Sequence, residues 1–457
     1  MPAPAPAHRG AMTLLNLLPS IGHAAPRRFD PAIWPTTASS DEDGRLCVGG
    51  VPLTDIADEF GTPAYVIDES DFRRRARRYR AVLRDVEVIY AGKSLLTTAV
   101  ARWAREEGLG IGVCSPGELA VALAGGVDPS RMIMHGNATS PDELRDAVAV
   151  GVGRLVLDSS LDIAYLAGLA RRRQRVLVRV TPDVDVHGHR EVATGVSDRP
   201  GGFTLTGGHA AEAVKAVLAH PVLDLIGLHC HLGPQVSDPA RYGEAIRRLI
   251  AAMADIRAHH GVILTELNIG GGHAVPYLRG DPELELAELA GGIEDALDEA
   301  CAAEHFPRPA VIVEPGRAIS ARAGVTLYRV CSVKTRPNGH TVVAVDGGMS
   351  DNPRVALDGA HYTVALANRH GLGVKRSVTV AGRQCGTGDG IARNVALPSD
   401  IHAGDLLAVA GTGSYHHSMA SNYTMVGRPP LMAVDGGRVR QLVRRETIAD
   451  MMSRDCG

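Results

Sequence analysis

A lysine that follows a β-forming run near residue 90 is the first candidate for chemistry. Residues 86–90 are rich in β-forming side chains, and Lys93 follows a short turn of small residues, before a helical pattern over 95–107. A lysine at the carboxyl end of a strand in a βα unit can be desolvated and become nucleophilic, which suits Schiff-base formation with a carbonyl compound. A solvated lysine at a helix start would give the same pattern, so residues downstream decide between the two.

Two histidines near residue 230 are the next candidates. His229 and His231 are two residues apart, so on a regular strand they would share a face. Such a pair could ligate a metal ion, but no nearby carboxylate or cysteine cluster completes a site. We therefore predict no metal site, with one histidine packed in the core and the other at the end of the strand.

The next two β-forming runs end in groups suited to binding an anion. Gly270, Gly271 and Gly272 end one run, and a glycine run lets backbone N–H groups converge on a phosphate, although a flexible loop would look the same. The run at 310–313 is followed by Glu314 and Arg317. The arginine could clamp a phosphate while the glutamate faces a ring nitrogen.

Together these residues predict a site for pyridoxal 5′-phosphate. Lys93 would carry the cofactor, a histidine would stack on its ring, and the glycines would hold its phosphate. Glu314 would keep the pyridine nitrogen protonated, so that the ring can act as an electron sink.

The elements that would position these residues alternate regularly. Helical patterns, for example at 116–124, 140–150 and 239–259, separate most of the β-forming runs. This alternation predicts an α/β protein with a (β/α)8 barrel of the TIM type. An open doubly wound sheet is the alternative, but candidate residues follow many different strands, which one switch point would not need. The eight runs lie at 86–90, 109–114, 132–135, 155–158, 176–180, 223–231, 266–269 and 310–313.

The pattern changes after residue 320, where β-forming runs and turns replace most helices. We predict a flexible N-terminal arm over 1–43 and a segment over 44–70 that contributes to a β domain. The cofactor-binding barrel would span 71–320, and the C-terminal β domain 321–457.

Composition excludes several classes of protein. The 457 residues are 45% hydrophobic and 22% charged, with a net charge of −3, so no basic excess suggests nucleic-acid binding. No run of about 18 apolar residues could span a membrane. The seven cysteines are scattered and form no CxxC pair, so we expect neither a disulfide scaffold nor a zinc ribbon, and a cytoplasmic location.

The motifs occur in the order of a known family. From about residue 44 to the C-terminus the sequence resembles the diaminopimelate/ornithine decarboxylases, which are fold-type III enzymes, and among them the bacterial diaminopimelate decarboxylases. The resemblance implies an alanine-racemase-like (β/α)8 barrel, a C-terminal β domain and pyridoxal 5′-phosphate. The motifs are Tyr-Ala-x-Lys at 90–93, His-x-His-x-Gly at 229–233, Gly-Gly-Gly at 270–272, Glu-Pro-Gly-Arg at 314–317, Val-Asp-Gly-Gly at 345–348, Cys-x-x-x-Asp at 385–389 and Thr-Gly-x-Tyr at 412–415.

The resemblance also implies individual roles. Cys385 would reach the site of a partner subunit and protonate the carbanion left after CO2 departs, which implies a homodimer with shared active sites. Arg354 implies a substrate with a distal carboxylate or phosphate-like group. For the cofactor, the resemblance makes Lys93 the Schiff-base lysine, His231 the stacking residue, Glu314 the partner of the ring nitrogen, and Gly270, Gly271, Gly272, Arg317 and Tyr415 the phosphate ligands.

Five positions depart from the family pattern, all close to the implied cofactor and substrate. Gly386 lacks the acid that recognises the substrate's distal amine. Asp358 replaces a substrate-site tyrosine and could supply a relocated amine contact, or be a solvated loop residue. Pro234 replaces a phosphate-binding serine, Gly112 an aspartate and Gly202 a lysine.

The sequence therefore predicts an enzyme that removes the α-carboxylate of an amino acid, resembling diaminopimelate decarboxylase but with an altered substrate pocket, which would suit specialised metabolism. One alternative is an epimerase or racemase on the same scaffold, with Lys93 and Cys385 as opposed bases. Another is a non-catalytic homologue that binds or regulates a true decarboxylase.

Overall fold

Eight parallel strands close into a barrel in the structure, a computed structural model that describes residues 29–185, 201–386 and 388–457. Each strand pairs with the next along the chain, and the eighth pairs with the first, with Val311 opposite Val86. This closure confirms the predicted barrel and excludes the open sheet. The barrel strands are Val86–Ala91, Gly110–Val113, Met132–Met134, Arg154–Leu157, Gln174–Thr181, Leu223–His229, Glu266–Asn268 and Ala310–Val313.

Helices alternate with these strands and cover the outside of the barrel. Three of them begin after Ser115, Ser140 and Ser159, whose side chains each accept a hydrogen bond from a free N–H group of the first turn. The α-helices of this region are Glu69–Val82, Thr98–Glu106, Pro116–Ala124, Pro141–Val150, Ser160–Leu169, His209–Leu218, Pro239–His260, Leu286–Ala303 and Arg317–Ser320.

The inside of the barrel is layered because side chains alternate along each strand. Below the middle layer, at the amino ends of the strands, Arg154 forms ion pairs with Glu87 at 2.7 Å and Glu266 at 2.6 Å. Above it, two residues further along their strands, lie His135 and Glu314, whose side chains line a cavity. One end of the barrel is therefore closed and the other carries polar groups. The middle layer is apolar and consists of Ile89, Ile133, Val156, Leu177, Ile226 and Ile312.

A mostly β domain follows the barrel. Strand Ala64–Asp68 pairs with both Gly324–Thr335 and Leu431–Asp435, so a strand from before the barrel lies in the same sheet as strands from after it. The predicted domain bounds themselves stay a prediction. The sheet runs in the order Gly390–Pro398, Lys375–Ala381, Thr341–Val345, Gly324–Thr335, Ala64–Asp68, Leu431–Asp435 and Arg438–Val443, with Leu406–Ala410 joining Gly324–Thr335 to Val364–Leu366. The remaining strands are Ser39–Ser40, Leu46–Val48, Val51–Pro52 and Phe203–Thr204, which pairs with Gln174–Thr181. The remaining α-helices are Leu53–Phe60, Arg354–Asp358 and Ile448–Met452.

Residues 29–43 differ from the flexible arm that the sequence predicts. Ile33 and Trp34 are buried in a core that they share with residues of the β domain. The Thr37 hydroxyl also donates a 2.5 Å hydrogen bond to the buried Asp68. Two apolar side chains in a polar stretch are enough to anchor this segment. Residues 1–28, the rest of that prediction, lie outside the described residues.

Two further sequence expectations concern the whole chain. Within the described ranges, none of the helices is long and apolar enough to cross a membrane. All seven cysteines are free thiols. The cytoplasmic location stays a prediction.

Candidate active site

A cavity of about 240 Å³ opens at the carboxyl ends of the barrel strands. The residues predicted from the sequence converge on it from different strands and from the β domain. Gly270, predicted with them, lies directly before the lining residues. The predicted residues that line the cavity are Lys93, His231, Gly271, Gly272, Glu314, Arg317 and Tyr415.

Lys93 projects from a single 3-10 turn, Gly92–Ser94, directly after the first barrel strand. The turn is fixed by Ser94, which is fully buried and donates to the Ala91 carbonyl at 2.8 Å. Lys93 itself is exposed to the cavity and has no ion pair or hydrogen bond within the described residues. Its amine is therefore available for a ligand.

The glycine run forms a loop that no larger residue could replace without moving the backbone. A Cβ at Gly271 would lie 2.0 Å from the Glu314 carbonyl oxygen, and one at Gly272 would lie 1.8 Å from the Gly233 carbonyl oxygen. The N–H groups of Gly271 and Gly272 have no backbone partner in the part of the chain described. Two free N–H groups at a cavity wall suit a phosphate.

Tyr415 ties the β domain to the barrel at the edge of the cavity. Its N–H donates to the Ser94 carbonyl at 2.8 Å, so the tyrosine is bonded to the turn that carries the lysine. Its φ of +61° is a left-handed conformation that is uncommon for a residue other than glycine. The guanidinium carbons of Arg317 and Arg354 lie 5.2 Å and 5.6 Å from the centre of its ring.

Glu314 is held by groups from other strands. The Asn268 amide donates to its Oε1 at 2.9 Å, and His135 Nε2 lies 2.8 Å from the same oxygen. His229 Nε2 is 3.7 Å from Oε2. Burial alone would raise the pKa of Glu314, but His135 and His229 outweigh it and hold that pKa well below its usual range. The carboxylate is therefore charged at neutral pH.

The two predicted histidines have separate surroundings. His229 ends the sixth strand, and burial lowers its pKa to about 4. His231 lies beyond the strand, where burial and then the nearby Lys93 hold its pKa well below its usual range. A neutral imidazole beside the lysine suits stacking on an aromatic ring.

His229 does not pair with His231 in a metal-like arrangement. Among the described residues, a group with metal-like spacing is His135, His229 and Glu314, with ligand atoms within 4.8 Å of one another. The side-chain amide of Asn268 donates to Oε1 of Glu314 in this group. A donor at this oxygen favours a hydrogen-bonded carboxylate over a metal ligand.

Arg354 and Asp358 lie one turn apart in a short helix, Arg354–Asp358, close to Tyr415. Arg354 is buried, and its Nε and Nη2 both donate to Asp358 Oδ2, at 2.8 Å and 2.6 Å. Neither residue lines the cavity directly. Arg354 instead packs against the ring of Tyr415, which lines the cavity.

Cys385 does not reach the cavity of its own chain. It is exposed in a loop between two strands of the β domain, and Asp389 holds this loop by accepting the Met349 N–H at 2.7 Å. At Gly386, the one described atom within 4 Å of an added Cβ is Met349 Sδ, at 3.5 Å, so the backbone there has room for the acid that the resemblance leads us to expect.

The other departures have different physical settings. Gly202 has a φ of +82°, which favours glycine over lysine. Gly112 has no such requirement, since a Cβ there would lie 3.6 Å from Ile89 and 3.7 Å from His135. Pro234 lines the cavity.

Sequence reasoning missed His135, Asn268 and Arg179, which surround Glu314 or line the cavity. The alternation along the strands could have found them. His135 stands two residues after the inward-facing Ile133, and Arg179 two after Leu177.

This set of groups fits pyridoxal 5′-phosphate. The cavity offers an unpaired amine, a charged carboxylate and a neutral imidazole. Two free N–H groups and Arg317 at the glycine loop suit its phosphate.

Comparisons with known proteins agree with this chemistry. A family model described as "Pyridoxal-dependent decarboxylase, pyridoxal binding domain" matches residues 69–321. The chain is 50% identical to a diaminopimelate decarboxylase of Actinosynnema pretiosum subsp. auranticum, over 97% of this chain and 100% of that protein. It is 42% identical to a diaminopimelate decarboxylase of Mycobacterium bovis, over 93% and 97%.

A solved structure has a fold similar to that of this chain. The diaminopimelate decarboxylase of M. jannaschii in co-complex with L-lysine is 27% identical, with a TM-score of 0.86 over 93% of this chain and 98% of that one. The chain therefore belongs to the pyridoxal-dependent decarboxylases of fold type III, and it is an amino-acid decarboxylase that uses pyridoxal 5′-phosphate.

Proposed function

We propose that the chain removes one α-carboxylate from diaminopimelate or a close analogue, that is, from an amino acid with a second amino-acid terminus. The observation that carries this proposal is the convergence of Lys93, Glu314 and Arg317 on one cavity beside the Arg354–Asp358 pair. Its support from outside the structure is that the relatives at 50% and 42% identity are both diaminopimelate decarboxylases. Loss of one carboxylate from diaminopimelate leaves lysine.

Pyridoxal 5′-phosphate, when bound, supplies an electron-withdrawing ring that accepts the electron pair left as CO2 departs. The residues of the chain bind and orient it. Lys93 would provide the amine that holds the cofactor. Arg317 and the N–H groups of Gly271 and Gly272 would hold its phosphate, and Glu314 would pair with the ring nitrogen.

We infer that the Arg354–Asp358 pair reads the far end of the substrate. Asp358 Oδ2 accepts from Nε and Nη2 of Arg354, and Nη1 donates only a long hydrogen bond, of 3.4 Å, to the Tyr277 hydroxyl. The remaining N–H groups of the Nη1–Nη2 end are therefore left for a substrate carboxylate. Asp358 Oδ1 has no hydrogen bond within the described ranges and could accept from an ammonium group. An ammonium and a carboxylate on one carbon match this pair in charge.

The active unit is proposed to be a homodimer. Cys385 is exposed and far enough from its own cavity not to line it, so a second copy would have to bring its Cys385 loop to this site. The thiol would then donate a proton to the carbon that has lost CO2.

The test is CO2 release from meso-diaminopimelate, followed together with the visible absorbance of bound cofactor. We expect release by the wild type, and loss of both release and the cofactor band in Lys93→Ala. Lys215→Ala, on an exposed helix face, is the matched control and should behave as the wild type.

Two results would contradict the proposal. Bound cofactor without CO2 release from meso-diaminopimelate would mean another substrate or reaction. Exchange of the α-hydrogen in heavy water without CO2 release would favour the epimerase alternative.

A further inference from the structure

The two oxygens of the Glu314 carboxylate have unequal surroundings. Oε1 accepts from the Asn268 amide at 2.9 Å and lies 2.8 Å from His135 Nε2. The nearest described partner of Oε2 is His229 Nε2, at 3.7 Å, which is beyond hydrogen-bonding distance. One oxygen is therefore held by the protein and the other is free to accept a hydrogen bond from a ligand in the cavity.

The groups that hold Oε1 come from the rigid part of the fold. Asn268 ends the seventh barrel strand and faces inward two residues after Glu266. His135 follows the third strand. Its backbone N–H donates to the Val113 carbonyl at 2.8 Å, and this bond continues the pairing with the second strand. The orientation of the carboxylate is thus set by strands on both sides of Glu314 in the barrel.

His229 is a poor candidate for the same task. Its Nε2 lies 3.7 Å from the carboxylate, against 2.8 Å for His135 Nε2. Neither Nε2 atom has the angle of a hydrogen bond among the described residues, so the distance separates the two histidines. Burial keeps the ring of His229 neutral at physiological pH by lowering its pKa to about 4. His135 has the shorter contact with Glu314, and its ring also packs at 5.0 Å against that of His229.

Because residue 112 is glycine, it has no side chain that could compete with Glu314 for the ring nitrogen of His135. A Cβ at this position would lie 3.7 Å from His135 Nε2 and 3.6 Å from Ile89 Cγ2, so a longer side chain fits without moving the backbone. A carboxylate placed there would come within reach of the same ring nitrogen and compete with Glu314 for it. With glycine, the only carboxylate that the structure describes within 4.0 Å of this imidazole is that of Glu314.

We propose that His135 is a positioning residue, which together with Asn268 holds Oε1 of Glu314 and turns Oε2 toward the ring nitrogen of the cofactor, and that Gly112 keeps His135 in this role. The inference rests on the role proposed above for Glu314. His135 need not touch the cofactor, because it acts through the carboxylate.

The experiment measures the affinity of the cofactor-free protein for pyridoxal 5′-phosphate by calorimetry. His135→Leu removes the contact of His135 with the charged carboxylate of Glu314. We expect this loss to weaken the binding of pyridoxal 5′-phosphate by about tenfold or more. His135→Gln keeps an N–H donor and should stay within about threefold of the wild type. Gly112→Asp should weaken binding because the new carboxylate draws His135 away from Glu314.

A double variant separates this role from a general loss of packing. If Gly112→Asp acts through His135, adding it to His135→Leu should cost little further affinity, so the two effects should not add. Additive losses would mean that residue 112 acts on the site independently, and would overturn the second half of the proposal. Wild-type affinity in both His135→Leu and Gly112→Asp would overturn all of it.

Glu314→Gln distinguishes this failure from failure of the proposed function. If Glu314→Gln weakens binding and His135→Leu does not, only the inference about His135 fails. If neither variant has an effect, the role of Glu314 fails as well. Should His135→Leu not fold, as judged by circular dichroism, the contrast between His135→Gln and Gly112→Asp decides the question.

Discussion

At the scale of single residues, the Arg354–Asp358 pair is the proposed site of substrate recognition. Asp358 binds one side of the guanidinium through Oδ2 and leaves Oδ1 unbonded among the described residues. Because the Asp358 side chain is 44% exposed, we expect the ion pair to contribute less than about 1 kcal/mol to stability. We expect the Arg354–Asp358 pair to act in substrate recognition, because hydrogen bonds to a substrate's polar groups discriminate strongly against substrates that lack those groups.

Asp358→Asn tests this role. If Oδ1 binds the distal ammonium, the variant should raise KM for meso-diaminopimelate about tenfold while kcat changes little. Asparagine lacks the negative charge and has one acceptor oxygen for both Arg354 and the ammonium. 2-Aminopimelate lacks the distal amine, and its KM should not rise. The measurement is CO2 release at varied concentrations of each substrate, with Asp435→Asn, at an exposed strand end, as the control. An equal rise for both substrates would mean that Asp358 only orients Arg354.

Residue types alone predicted the groups that carry distinctive chemistry. Lys93 and Glu314 closely follow strands, and three successive glycines at the end of a strand indicate a close backbone approach or a bound anion. His135 was missed because a single histidine after a strand is not distinctive by its type, and only the alternation after Ile133 shows that it faces inward. Its importance comes from facing Glu314 across the barrel, at a separation of 179 positions that only the closed sheet brings together.

At the scale of elements, the barrel strands were predictable because they are buried on both faces and form continuous apolar runs. All eight observed strands overlap the predicted runs. In the β domain, strand Gly390–Pro398 has no clear β pattern in the sequence, since it contains polar residues and an Asn394 φ of +54°. Its pairing with Lys375–Ala381, rather than any local pattern, makes it a strand.

The ion pairs at the closed end of the barrel are an element-scale feature with a testable energy. Arg154 is 8% exposed and bridges Glu87 and Glu266, which come from different strands. Arg154→Leu should lower the free energy of unfolding by about 3 kcal/mol, because it leaves two carboxylates together with less compensating charge. Denaturant titration measures the loss. Arg173→Leu, whose side chain is 73% exposed beside Asp224, should cost less than about 1 kcal/mol.

Activity separates this layer from the catalytic end. Below its unfolding transition, Arg154→Leu should retain the kcat of the wild type, because the apolar layer of Ile89 and its neighbours lies between Arg154 and the cavity. A fall in kcat in the folded protein would mean that the two ends of the barrel are coupled.

At the scale of the whole molecule, the site needs more than the barrel. The β domain supplies Tyr415, which is bonded to the turn of Lys93, and the same domain carries the Cys385 loop away from that cavity. The sequence could suggest a shared site only through resemblance to a family. An interface between two copies leaves no periodic pattern in one chain, and its contacts belong to neither copy alone.

Mixing two inactive variants tests whether the sites are shared. Lys93→Ala lacks the cofactor amine and Cys385→Ala lacks the proposed proton donor, so each alone should have little activity. In a two-fold symmetric dimer, random re-association of equal amounts makes about half of the dimers mixed, and one site in each mixed dimer has both intact residues. We therefore expect about a quarter of the wild-type CO2 release after dissociation and re-association. Cys331→Ala, another exposed cysteine, should be fully active alone. If lysine and cysteine act within one chain, no mixture of the two variants can rebuild a site, and activity will stay at the level of the separate variants.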